Sequence, residues 1–150
     1  SPSRGIFIFS PFLLFSIWGI WAIWKRSEPA WRTLAFTIPA PAIMLILFSK
    51  YAVWWGGNSH YGPRYQIDTY PFLILYLSAI LPQSRRNRWL FSLFLFLLLY
   101  SCVVQWIGAF CYPGGWETYP TDLANDKGRF WDWGYNQIWI STGSGIKWPW

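Results

Sequence analysis

Residues 89–110 carry no charged side chain, and that stretch sets the first constraint on the fold. As a helix it would extend about 33 Å at the usual rise, against a bilayer hydrocarbon core about 30 Å thick. Three more apolar runs are candidate spans, at 5–24, 34–55 and 67–82, the second holding Lys50 and the third Asp68. The run at 34–55 holds Pro39 and Pro41 near its start. Proline is tolerated there because few intrahelical donors are lost in the first turns. In the third run residues 69–82 supply about 14 apolar-type residues, fewer than the usual 17–25, unless residues 65–68 form a polar first turn. The pattern predicts an all-α integral membrane protein. About four transmembrane helices would bundle over residues 1–110, and 111–150 would form a short extracytoplasmic tail rich in glycine and aromatic residues.

Composition agrees. Only 12% of the 150 residues are charged, against the ~25% of an average soluble domain, and 14 are Trp. Trp favours membrane–water interfaces, where its ring is apolar and its N–H finds a partner. The net charge of +6 does not argue for nucleic acid, because the cations sit between the apolar runs. Lys25, Arg26 and Arg32 lie in the first link, and Arg85, Arg86 and Arg88 in the third. The other side holds Arg4, Arg64, Lys127, Arg129 and Lys147, mostly mixed with acids. By the positive-inside rule the two basic links are cytoplasmic, so residues 1–4, the loop 56–68 and the tail face outward. An even number of spans is needed for this agreement, which supports counting the short third run. Cys102 and Cys111 are read as free thiols, since their spacing on one helix is about 13 Å, too far for a disulfide. The chain opens at Ser1 almost directly on an apolar run and is expected to be a piece of a longer polytopic protein.

Chemistry concentrates in the outward segments. In the loop 54–68, Gly56-Gly57 and Gly62-Pro63 mark tight turns around His60 and Arg64. Arg64 and His60 suit an anionic oxygen, and the planar guanidinium fork matches phosphate. Asp68 stands where a carboxylate also favours a helix N-terminus. The plainer reading is a rigid interfacial hairpin with Arg64 paired to Asp68. Residues 1–5, with two serines before Arg4, cradle a phosphate or simply cap the first helix. Lys50, about 7 Å inside the outer end of the second run, either snorkels to the interface or joins Arg4 and Arg64 around a lipid-linked phosphate. In the tail, Glu117, Asp122, Asp126 and Asp132 lie among Trp116, Trp131, Trp133 and Trp139. That mixture suits a sugar, whose C–H faces stack on rings, or equally an interfacial aromatic belt. No metal-ligand spacing, phosphate loop or serine elbow is present in the sequence.

Three stretches together resemble a known family. They are Pro2-Ser3-Arg4-Gly5, then Gly56-Gly57-x-Ser59-x-Tyr61-Gly62-Pro63-Arg64-Tyr65, with Pro71-Phe72-Leu73 opening the next run. Gly128-Arg129-x-Trp131-Asp132-Trp133 and Gln137 add a tail signature. The set is similar to the GT-C superfamily of membrane glycosyltransferases, in the bacterial branch related to protein mannosyltransferases and lipopolysaccharide-modifying enzymes. The resemblance implies hexosyl or pentosyl transfer from a polyprenyl-phosphate sugar to a glycan, lipid or protein acceptor, at the outer face of a multi-pass bacterial inner membrane. It implies no cofactor or metal. It places the catalytic base in a loop that nothing here matches, so no catalytic residue is expected in this chain. Arg4, Lys50, His60, Arg64 and Asp68 become the candidate substrate contacts. The competing class is a non-catalytic polytopic subunit or a transporter or flippase segment.

Overall fold

The computed structural model describes residues 3–26, 28–51, 60–116, 118 and 125–145. Among them every regular element is helical. The chain runs through α1 (Ile6–Phe9), a 3₁₀ turn (Pro11–Leu14), α2 (Phe15–Lys25), α3 (Pro29–Ala35) and α4 (Pro39–Ser49). A 3₁₀ segment (Arg64–Thr69) then leads into α5 (Tyr70–Leu77), α6 (Leu81–Arg86) and the long α7 (Arg88–Phe110). Two 3₁₀ turns (Lys127–Trp131 and Trp133–Tyr135) precede α8 (Gln137–Gly143).

Proline punctuates this order. Pro11, Pro29, Pro39, Pro71 and Pro82 each sit in the first two positions of a helical segment, where the missing N–H would have no partner anyway. Pro11 and Pro29 also hold the residue before them outside the helical region, whereas Ile38 before Pro39 and Tyr70 before Pro71 stay helical. Ser10, before Pro11, has φ −140° and ψ 65°. The run 5–24 is therefore two pieces, and its continuous apolar part is Pro11–Lys25. The run 67–82 is a 3₁₀ segment, the short α5 and a turn at 78–80. Two helical stretches are long and apolar enough to cross a membrane, Pro29–Ser49 and Arg88–Phe110. Helix length thus carries two spans, not the four expected. The end of the 34–55 run lies outside the described residues.

The packing nevertheless gives each segment a direction. α2 and α5 lie side by side and parallel: Ser10 Oγ meets Tyr70 Oη at 3.0 Å at one end, and Arg26 Nη2 donates to the Ala79 carbonyl at 3.1 Å at the other. Between them Gly19 lets the backbones touch, since a Cβ there would sit 2.1 Å from the Tyr76 carbonyl oxygen. Ile23, Leu73, Tyr76, Leu77 and Ile80 bury the seam. α7 runs the opposite way, with Phe94 edge-on to Phe12 and Phe15, and the Val104 carbonyl accepting from Tyr61 Oη at 3.1 Å. The basic links 25–32 and 85–88 therefore gather at one end, and residues 3–5, the loop after residue 60 and the tail at the other. α4 and α7 present apolar side chains outward, among them Ile46 (61% exposed) and Leu99 (64%). Surfaces of that kind suit lipid rather than water. Cys102 is exposed and Cys111 buried, both as free thiols.

Candidate functional site

At the end away from the basic links, segments far apart in sequence are tied by hydrogen bonds from side chains to backbone. Gln137, the first residue of α8, is completely buried. Its Oε1 accepts from Gly62 N and its Nε2 donates to the His60 carbonyl, both at 3.0 Å. Arg4 Nη2 donates to the same carbonyl at 3.0 Å. Ser3 Oγ donates to the Arg129 carbonyl at 3.3 Å, and Ser3 N to the Phe130 carbonyl at 3.4 Å. The amide of Gln137 works because one side chain offers both a donor and an acceptor to a backbone with no ladder of its own. Gly62 has φ +74° and packs on the Phe9 ring, so its place admits no other residue without strain.

Two buried guanidinium groups flank this knot. Arg4 and Arg129 lie over the Trp116 ring at 5.5 and 5.4 Å, and Arg129 also lies 5.1 Å over Tyr135. Arg129 Nη2 donates to the Trp116 carbonyl at 2.8 Å, while Trp116 Nε1 donates to the Tyr135 carbonyl at 2.9 Å. A desolvated cation over an indole is worth about 2 kcal/mol, which helps offset the cost of burying each charge. Trp116 and Phe130, with Tyr112 and Ile140 against them, form a small core of their own. The described part of the tail is thus a packed cap over the helix ends.

A cavity of about 630 Å³ opens beside the knot. Phe7 and Ile8 on α1 and Leu45 on α4 form its apolar wall, and Trp131 and Trp133 stand at its rim. Gln66 is its polar member. Gln66 Oε1 is fixed by Ile6 N at 3.1 Å, and its Nε2 has no partner among the described residues. A second cavity of about 590 Å³ runs between Phe12, Ile67 and α7, largely apolar, with Ser101 and Gln105 in its wall.

The five expected contacts divide in two. Arg4 is 2% exposed and meets the loop through the His60 carbonyl. His60 brings its ring Nε2 to Arg64 Nη1, which has only donors, so that nitrogen accepts. Arg64 turns to His60 and forms no ion pair with Asp68, so the hairpin pairing weighed from the sequence is replaced by another. Arg64 and Asp68 are exposed on the 3₁₀ segment that carries Gln66. Lys50 is exposed at the C-terminal cap of α4, between Phe48, which stacks on Tyr65 at 5.3 Å, and Tyr51, which meets that ring at 5.8 Å. In the tail, Asp132 Oδ1 accepts from Gly134 N at 2.8 Å and so shapes the turn between Trp131 and Trp133. Trp131, Trp133 and Trp139 are exposed.

Several groups were not singled out in the sequence for the part they play. Trp116 as the plate between two arginines, Gln66 in the cavity and Tyr61 on α7 follow no periodicity. Their partners are remote in the chain, so no local signal marks them. Pro2, Gly56, Gly57, Asn58, Ser59, Glu117, Asp122 and Lys147 lie outside the described residues. Among the described residues no group of three His, Cys, Asp or Glu is placed to hold a metal ion. No family model matches the chain, and neither a curated protein nor a solved structure matches it.

Proposed function

We propose that this chain is the outer-face portion of a membrane glycosyltransferase that takes a sugar from a polyprenyl phosphate. The reading includes a four-span arrangement in a bacterial inner membrane, with 67–82 as a short third span held between its neighbours. The observation that supports it most is the convergence of three segments singled out from the sequence. Residues 3–5, 60–66 and 129–137 share one hydrogen-bonded knot beside a cavity that is apolar toward α1 and α4 and aromatic at its rim. That polarity matches a lipid-linked sugar: chain against Phe7, Ile8 and Leu45, sugar against Trp131 and Trp133, hydroxyl oxygen to Gln66 Nε2.

In this reading Arg64 and Lys50 face the phosphate and offset the charge it gains as the bond to the anomeric carbon breaks. The acceptor hydroxyl oxygen bonds to that carbon, and its proton passes to a base outside residues 1–150. Arg4 is a positioning residue that holds His60, and His60 in turn orients Arg64. Asp68 lies on the solvent side of the same segment and fits an acceptor or a structural role. Donor and acceptor are substrates, and no resident cofactor is required.

Arg64→Ala in the full-length protein is expected to lower transfer from a polyprenyl-phosphate sugar about 100-fold, as loss of one preorganised cationic donor does, with insertion and detergent stability unchanged. Unchanged transfer would remove Arg64 from the site. Absence of transfer by the unmodified protein with every donor tried would favour a non-catalytic subunit or transporter.

A further inference from the structure

The opposite end of the bundle holds a second site. In the crook between α2 and α3 a cavity of about 320 Å³ is lined by Ile23, Trp24, Lys25, Arg26, Arg32 and Ala35. Its volume is roughly that of ten waters. Among the described residues that line it, three are cations and none is an acid. Two of the cations are held in place. Lys25 Nζ stands 3.9 Å over the Trp21 ring, and the Arg26 guanidinium lies 4.4 Å over Trp31 while it donates to the Ala79 carbonyl. Glu28, one turn before Arg32, is spaced to neutralise it. It accepts instead from Trp31 Nε1 at 3.1 Å, and Arg32 is left exposed with no partner among the described residues.

Part of this charge is accounted for by the fold. Lys25 lies in the last turn of α2 and Arg26 caps the carbonyl end beyond α5, where cations are favourable. Arg32 has no such duty, and three like charges around one cavity repel one another unless an anion enters. Trp24 is 76% exposed beside them, and Trp21 and Trp31 sit at the same level. Indoles at that level mark the depth of lipid headgroups. We infer that this cavity binds the phosphate of an anionic glycerophospholipid of the cytoplasmic leaflet, with Arg32 as the principal ligand and Lys25 and Arg26 as fixed charges beside it. The inference requires only that the basic end of the bundle lie at a membrane surface, and it is independent of sugar transfer. Basic pockets between membrane helices take such headgroups, each nearby cation contributing about a fivefold gain in affinity.

The test uses the purified chain in phosphatidylcholine nanodiscs with graded phosphatidylglycerol, reading retained lipid by native mass spectrometry. Phosphatidylglycerol is expected to be retained over phosphatidylcholine. Arg32→Gln and, separately, Lys25→Gln should each lower that preference about fivefold, while Arg88→Gln, at the same end but outside the cavity, should leave it unchanged. No preference in the unmodified protein would overturn the inference. So would equal losses in the Arg32 and Arg88 variants, which would reduce the effect to diffuse surface attraction. Displacement of the lipid by millimolar glycerol phosphate would assign the cavity to a free phosphate and overturn the lipid assignment.

Discussion

Gly19 and Tyr61 carry more of the structure than their size or polarity suggests. At Gly19 a methyl group would collide with backbone, which has no rotamer to move aside. Gly19→Ala should therefore destabilise the detergent-solubilised protein by about 2–3 kcal/mol, within the range of overpacked cores and above the helix propensity gained. Thermal unfolding checks it, with Gly143→Ala as control, since nothing lies within 4 Å of that position. Tyr61 packs edge-on to Phe9 at 5.1 Å and over Gly108 on α7, and its hydroxyl reaches the Val104 carbonyl. Burial, then the nearby Tyr100 and Cys111, push its ionisation well above the ordinary tyrosine range. The folded chain thus prefers the neutral phenol, while the unfolded chain ionises near pH 10. The stabilisation is complete below pH 10 and is lost as pH rises beyond it. Melting temperatures between pH 8 and 11 should fall more steeply for the native protein than for Tyr61→Phe. Parallel curves would show that Tyr61 does not contribute.

Among elements, the cap formed by the tail depends on α8 presenting Gln137 to the loop after residue 60. Gln137→Leu keeps the volume and strands the buried Gly62 N–H, at a cost of about 1–3 kcal/mol. The expected result is faster protease cleavage between residues 112 and 136 with the helical content unchanged. Cleavage at the native rate would mean that the cap is held elsewhere. The same elements show what could be read from the sequence. Among the described residues the four apolar runs are mainly helical, in several pieces for 5–24 and 67–82, and the uncharged run 89–110 lies wholly within α7, because length and continuity are local properties. The break at Ser10 was legible too, since Pro11 forces it, but an apolar run scored as a whole conceals it. The brevity of α5 followed from the count of apolar residues. The knot itself was not legible. Nothing local says that Gln137 meets His60, or that Arg4 turns inward to a carbonyl rather than outward to a phosphate. Arg64 and Asp68, at helical spacing, suggested a pair that the 3₁₀ geometry of their segment and the His60 ring replace.

For the whole molecule, charge and packing agree on direction although, among the described residues, two helical stretches are long enough to span alone. The parallel seam of α2 and α5 and the reversed α7 place every basic link at one end and the knot, the larger cavity and the exposed tryptophans at the other. A lipid-linked sugar at the outer face needs this polarity, and so does an anionic headgroup at the inner one. Sided labelling of single-cysteine variants in intact cells tests it most directly, in a background with Cys102 and Cys111 replaced by serine. With a membrane-impermeant maleimide, Trp131→Cys and Asp68→Cys should react from outside, while Arg86→Cys should react only after permeabilisation. Labelling of all three from the same side would contradict the arrangement proposed here.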